Sequence, residues 1–207
     1  MALGNAEASW GGVAKALHWA IAVLILASSA FILHVNDSTW WFKSSPLVFI
    51  TYIHRHKAMG IIAFVLIVVR LLWRRRQPIP QTAPLAPWEK LWSHRVHIAL
   101  YALMLAVPVT GWLASSFFGS GTRFWGLFTI ASPLPKWKLG VAVGYRTHFV
   151  LAWTLLTVVA GHVGAALYHH FVRRDRTLVA MLPGRSAQLQ EQTRRDRQPS
   201  LRHPRWR

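Results

Sequence analysis

The chain contains no cysteine. That absence excludes disulfides, iron–sulfur clusters, thiolate-ligated haem and covalent c-type haem attachment. Carboxylates are scarce too: six Asp and Glu stand against 24 Lys and Arg and 11 His. A transporter for hard divalent cations would want oxygen ligands in the bilayer, and few are on offer here. Charged residues make up only 14% of the chain, well below the usual share of a soluble domain. Histidine and methionine are the soft ligands that remain.

What is abundant is apolar sequence, 53% of 207 residues, gathered into four blocks of roughly bilayer length. The first runs from about Val13 to Leu33, the second from Leu47 to Trp73, the third from Val96 to Phe118 and the fourth from Arg146 to Phe171. Lys15 ahead of an apolar run, with small residues Ala27 to Ala30 inside it, also fits a cleaved signal peptide. We read a retained helix, because the run continues to Leu33 and carries His18. Between the blocks lie three connections. Asn36 to Pro46, with Trp40, Trp41 and Phe42, reads as an outer loop with its aromatics at headgroup level. A proline-rich stretch follows Arg74-Arg75-Arg76, with Trp88 to His94 as a short interfacial turn. Gly119 to Tyr145 reads as a long loop. Pro108 predicts a kink in the third helix.

The expected domain division is a cytoplasmic leader over residues 1–12, a four-helix transmembrane domain over 13–172 and a basic cytoplasmic tail over 173–207, of which 173–183 caps the fourth helix. The formal net charge of +18 sits in the connections and the tail. That suits membrane orientation and contact with anionic lipid rather than nucleic acid. The arginine triplet and the tail place both termini in the cytoplasm. Topology does not require the outer excess of Lys43, Arg55, Lys57, Arg123, Lys136, Lys138 and Arg146, which suits attraction of an anion.

Ionisable residues inside apolar spans are functional by default. His148 and His162 lie fourteen residues apart, roughly 21 Å along a helix axis and about 40° short of four full turns. One face of one helix therefore carries both, at two depths, which suits two stacked metal centres. His18, near the inner end of helix one, shares the depth of His162. His54 and His56, near the outer start of helix two, share that of His148. Two histidines from two helices are how a bundle holds b-type haem. His54 and His56 differ by roughly 200° of rotation, so only one can face inward. Gly60, on the face of His56, leaves room for a porphyrin and favours His56, as Gly161 and Gly164 do around His162. The alternative for these glycines is close helix packing. His34 faces elsewhere. His94 and His97 sit at the inner start of helix three, as ordinary interfacial residues or as donors to a haem propionate or quinone. His169 returns to nearly the face of His162. It is either a protonatable contact for a quinone carbonyl or a histidine complementing the helix C-terminus.

Leu17-His18-Trp19, His56-Lys57-Ala58-Met59-Gly60, Val68-Val69-Arg70-Leu71, Val107-Pro108-Val109-Thr110-Gly111, the His148–His162 spacing, His169-His170-Phe171 and Leu178 to Pro183 together resemble the bacterial cytochrome b561 family. The resemblance spans about Ala16 to Pro183. It implies an all-α, four-transmembrane-helix bundle in the bacterial inner membrane, holding two haem b. By position, the axial ligands to haem iron fall on His18 with His162 and on His56 with His148. It further implies single-electron transfer between an outer-side donor and the quinone pool, with ubiquinone as acceptor. One type in the family resembles a superoxide oxidase, so the donor is superoxide or a periplasmic electron carrier. Two other readings compete. One is a cytochrome b anchor subunit for a dehydrogenase or hydrogenase. The other, from a different class, is a transition-metal transporter, which predicts a colourless protein. A homodimer is compatible with either electron-transfer reading.

Overall fold

A computed structural model describes residues 3–6, 9–37, 46–80 and 85–184. The expectations for Trp40, Trp41 and Phe42, and for the basic tail beyond Gly184, lie outside the described residues. Four helices dominate: α1 Gly12–Asp37, α2 Pro46–Arg75, α3 Pro87–Phe118 and α4 Lys138–Phe171. All four are long and apolar enough to cross a membrane. The chain is thus a four-helix, multi-pass membrane protein. We name its two ends by what they carry. The arginine end holds Arg74, Arg75 and the C-terminus of α4; the hairpin end holds a small antiparallel pair, β1 Thr122–Phe124 and β2 Phe128–Ile130.

Two boundaries differ from expectation. Trp88 to His94 is no separate turn; α3 is continuous from Pro87. Proline is pre-organised for a first helical position, and the Glu89 carboxylate accepts from the Ala86 N–H at 2.8 Å, satisfying a donor the helix leaves free. Gly119, at φ 80, ends the helix in the left-handed conformation that glycine adopts without penalty. The stretch after it is not simply a loop. It forms the hairpin and then, from Lys138, the first two turns of α4.

The helices pair as α1 with α2 and α3 with α4, and the two pairs meet chiefly where α2 lies against α3. Ile21, Ala63 and Ile67 form the buried centre, packed by Leu24, Leu66, Tyr101 and Met104. In a bilayer such packing stabilises through van der Waals contact rather than release of water. At the arginine end, Arg70 ties the pairs together, donating to the Tyr101 hydroxyl at 3.1 Å and to the Ala14 carbonyl at 2.7 Å. Arg173 pairs with Glu89, joining the end of α4 to the start of α3. The segment after α4 folds back under α1, where Lys15 and Trp19 donate to the carbonyls of Leu182 and Met181 at 3.0 and 2.8 Å. The leader packs similarly, through Asn5 to Gln77 and Pro78.

Candidate cofactor site

The space between the helix pairs holds the histidines. Although α4 makes little close backbone approach to α1 or α2, its two imidazoles reach across to both. His162 faces His18 with ring centroids 6.4 Å apart, and His148 faces His56 at 6.1 Å. A metal bonded to imidazole nitrogen on both sides, at about 2 Å per bond and roughly 1 Å more from each nitrogen to its ring centre, would separate the centroids by about 6 Å. Both pairs fit that spacing. Among the described residues there is no cluster of three or more metal-ligating side chains with the geometry for a bare ion. Two-histidine pairs match a metal whose remaining ligands come from a macrocycle.

The hairpin-end pair is held by backbone carbonyls. His56 Nδ1 lies 3.1 Å from the Ser28 carbonyl and 2.8 Å from its hydroxyl, and His148 Nδ1 lies 2.8 Å from the Val107 carbonyl. A carbonyl only accepts, so each Nδ1 carries the proton and each Nε2 keeps its lone pair. That is the arrangement in which a ligating imidazole is oriented and made more basic. The Val107 carbonyl also accepts from the Thr110 hydroxyl at 2.9 Å, and beside it Pro108 lacks the N–H that would reach the Met104 carbonyl one turn back. Gly111 completes the fit: a Cβ at that position would sit 2.9 Å from the His148 ring. The sequence Val107 to Gly111 therefore shapes the seat of His148.

The arginine-end pair has a different setting. A third imidazole joins it, His97, whose ring lies 5.4 Å from that of His162 and whose Nδ1 donates to the Ser93 carbonyl at 2.6 Å. Arg70 lies within electrostatic reach of His18, His97 and His162. His97 was expected at the start of a helix; with α3 beginning at Pro87 it stands three turns inside instead. His94 and His34 are exposed.

His169 lies apart, beyond the last turn of this group. Its Nδ1 is 2.5 Å from the Asp175 carboxylate, which also accepts from the Thr177 N–H at 2.9 Å. Partial burial pushes the Asp175 pKa up, but the hydrogen bonds from His169 and Thr177 outweigh it and hold the group below the ordinary carboxylate value. His54, unassigned by sequence, accepts from the Arg123 N–H at 3.1 Å and so fixes the hairpin to α2. Its neighbour Lys57 extends that attachment. Its ammonium donates to Ser115 Oγ, Ser120 Oγ and the Gly121 carbonyl at 3.0, 3.0 and 2.7 Å.

Among the described residues, no neighbour packs closely on three of the glycines around the histidines. A Cβ added at Gly60, Gly161 or Gly164 would meet nothing within 4 Å among the described residues. Gly60 stands one turn beyond His56, where a flat ring edge would need room. A small residue recurs at that offset after each of the four facing histidines: Ala22, Gly60, Ala152 and Ala166. It does not separate His56 from His54, which is followed by Ala58.

The family profile of prokaryotic cytochrome b561 matches residues 9–184. Among curated proteins, cytochrome b561 homolog 2 of Escherichia coli (strain K12) is 29% identical over 186 residues, covering 88% of this chain and 95% of that protein. Cytochrome b561 homolog 1 of the same organism is 28% identical over 170 residues, covering 82% and 94%. A probable superoxide oxidase CybB of Yersinia pestis is 31% identical over 129 residues, covering 62% of this chain and 73% of its own.

Proposed function

Because the chain belongs to the prokaryotic cytochrome b561 family, we propose that it is a two-haem b-type cytochrome carrying single electrons across the bacterial inner membrane to the quinone pool. The observation that carries this is the pair of facing imidazole couples, at 6.4 and 6.1 Å, stacked along α4. His56 with His148, and His18 with His162, would hold the two haems, and at the hairpin end the Nε2 atoms are the ones left free to do so. Bound haem supplies one-electron chemistry between ferric and ferrous iron.

The chain's own groups do the rest. Ser28 and the Val107 carbonyl fix the imidazole planes at the hairpin end. Arg70 supplies a fixed positive charge at the arginine end. We orient the arginine end toward the cytoplasm, with both termini, because short loops rich in Lys and Arg stay inside. The hairpin end then faces outward with Arg123, Lys136, Lys138 and Arg146 around it, a basic surface that attracts a small anion. Likeness to a probable superoxide oxidase supports superoxide as that anion. Two superoxide anions each lose one electron and leave as dioxygen; one ubiquinone takes both electrons and two protons and leaves as quinol. His169, in the doubly protonated form with Nδ1 donating to Asp175, would offer its Nε2–H to a quinone carbonyl at the cytoplasmic surface. The transporter reading, which predicts a colourless protein, loses its ground in a cytochrome family.

The test is haem stoichiometry followed by stopped-flow mixing. Two haem b per chain by pyridine haemochromogen, and rapid reduction of the haem band by superoxide, are the expected results. Absence of a b-type spectrum sinks the cytochrome reading. A full spectrum with no response to superoxide removes that donor and leaves a protein carrier.

A further inference from the structure

The hairpin presents an apolar tip that the electron-transfer reading does not use. Leu127 is 83% exposed, Phe128 55% and Trp125 51%. The Leu127 N–H closes the turn on the Phe124 carbonyl at 2.8 Å, and both residues between, Trp125 at φ 43 and Gly126 at φ 81, have positive φ. Such values suit a tight hairpin turn but are unusual for a bulky side chain. The Phe124 and Phe128 rings stack at 4.9 Å, nearly parallel. The tip is thus a stiff aromatic and aliphatic wedge.

Its depth follows from its attachment. The Arg123 N–H is hydrogen-bonded to His54, and β1 packs on α2. His54 stands twenty residues before Arg74, the first of the arginine triplet, which is about 30 Å along the helix. That distance is roughly the thickness of the hydrocarbon core. With Arg74 at one headgroup boundary, the root of the hairpin lies at the other. Near that level exposed Arg146 on α4 is followed by exposed Phe149 and Val150, so basic surface gives way to apolar surface there, as at a headgroup boundary. Aromatic side chains favour this zone, and the long exposed side chain of Arg123 can reach phosphate oxygens above it.

We propose that the hairpin Thr122–Ile130 is an interfacial anchor, with Trp125, Leu127 and Phe128 seated among the headgroups and upper acyl chains of the leaflet at the hairpin end. The occupant of this surface is lipid, not a soluble protein. The seat would hold the hairpin, and with it Lys57 and the end of α2, at fixed depth beside His56. This inference does not depend on which side of the membrane that leaflet faces.

The chain has no cysteine, so one introduced thiol can be labelled cleanly. Leu127→Cys carrying a nitroxide, in the full chain reconstituted into phosphatidylcholine–phosphatidylglycerol vesicles, is read by power-saturation electron paramagnetic resonance. The reference is Val65→Cys on the exposed mid-span surface of α2. The expected ratio of collision with dissolved oxygen to collision with a water-soluble nickel chelate lies above that of free label in water and below that of the reference, and a ratio equal to the reference would place the tip in the bilayer core and overturn the proposal. A ratio equal to that of free label in water overturns the proposal, as does protection from both agents, which would place the tip against protein. If Leu127→Cys fails to insert, Trp125→Cys is measured by the same criteria.

Discussion

The two histidine couples share one helix and nearly one spacing, yet their surroundings differ in kind. At the hairpin end the imidazoles are fixed by neutral backbone acceptors, Ser28 and Val107, and the Lys57 ammonium, held by serine and carbonyl oxygens, keeps its charge beside His56, whereas Arg70 at the other end acts on both members of its couple. At the arginine end a third imidazole and the guanidinium of Arg70 stand around the couple. A carbonyl accepting from Nδ1 makes the imidazole more electron-donating and favours the oxidised metal. A nearby fixed cation favours the reduced one. The asymmetry therefore predicts a lower potential at the hairpin end and a higher one at the arginine end. A symmetric bundle would have no preferred direction; with two haems bound as proposed, this one would have a slope.

The comparison breaks most completely when a ligand is removed. His148→Leu should reduce the haem content from two per chain to one, leaving the higher-potential component. His162→Leu should leave the lower-potential one. Retention of both haems in either variant would discard the assignment. Gly111→Ala comes next. The new methyl meets the His148 ring at 2.9 Å, so haem retention at the hairpin end should fall on the order of 10–100-fold, as for loss of an orienting partner. The arginine-end spectrum should not change, and separate titration of the two components checks this.

Arg70→Met tests the slope itself. Its expected effect is a drop in the arginine-end potential of about 59 mV, a tenfold change in a one-electron equilibrium, with the hairpin end unmoved. Equal shifts at both ends would mean that the substitution acts through general loosening of the bundle. The smallest effect belongs to Asp175. Its pKa is depressed in the folded chain, so the stability it contributes is present above the ordinary carboxylate pKa and is lost as pH falls through the depressed value. Asp175→Asn should remove that acid dependence at a cost of under about 1 kcal/mol at neutral pH, read as proteolytic protection of residues 172–184 against pH.

Much of this was legible before any coordinates. The four apolar runs, and the coincidence of His148 and His162 on one face, follow from length and helical angle alone. The choice of His56 over His54 rests on Gly60 and on the family resemblance; in the fold His56 faces His148 at 6.1 Å, while His54 accepts from the Arg123 N–H. Other features were written in the sequence but read too weakly. Pro87 and Glu89 signal a helix start, and the polar character of Trp88 to His94 obscured it. His97 was misplaced as a consequence. The hairpin was not readable, because three-residue strands carry too little alternation to register. The roles of Ser28 and Val107 were hidden for another reason. They act through backbone carbonyls, which every residue possesses, so no side-chain pattern marks them.

The sharing of α4 by both couples has a consequence for how the chain can change. The fourteen-residue spacing of His148 and His162 acts as a register. Inserting or deleting one turns one imidazole about 100° away from its partner while leaving the other in place. Only changes near whole pairs of turns, seven residues at a time and about 10.5 Å long, keep both faces aligned, and then α1 or α2 must lengthen in step. Length variation in such a chain is therefore confined to its connections and its ends, while the interval inside α4 admits substitution but not slippage.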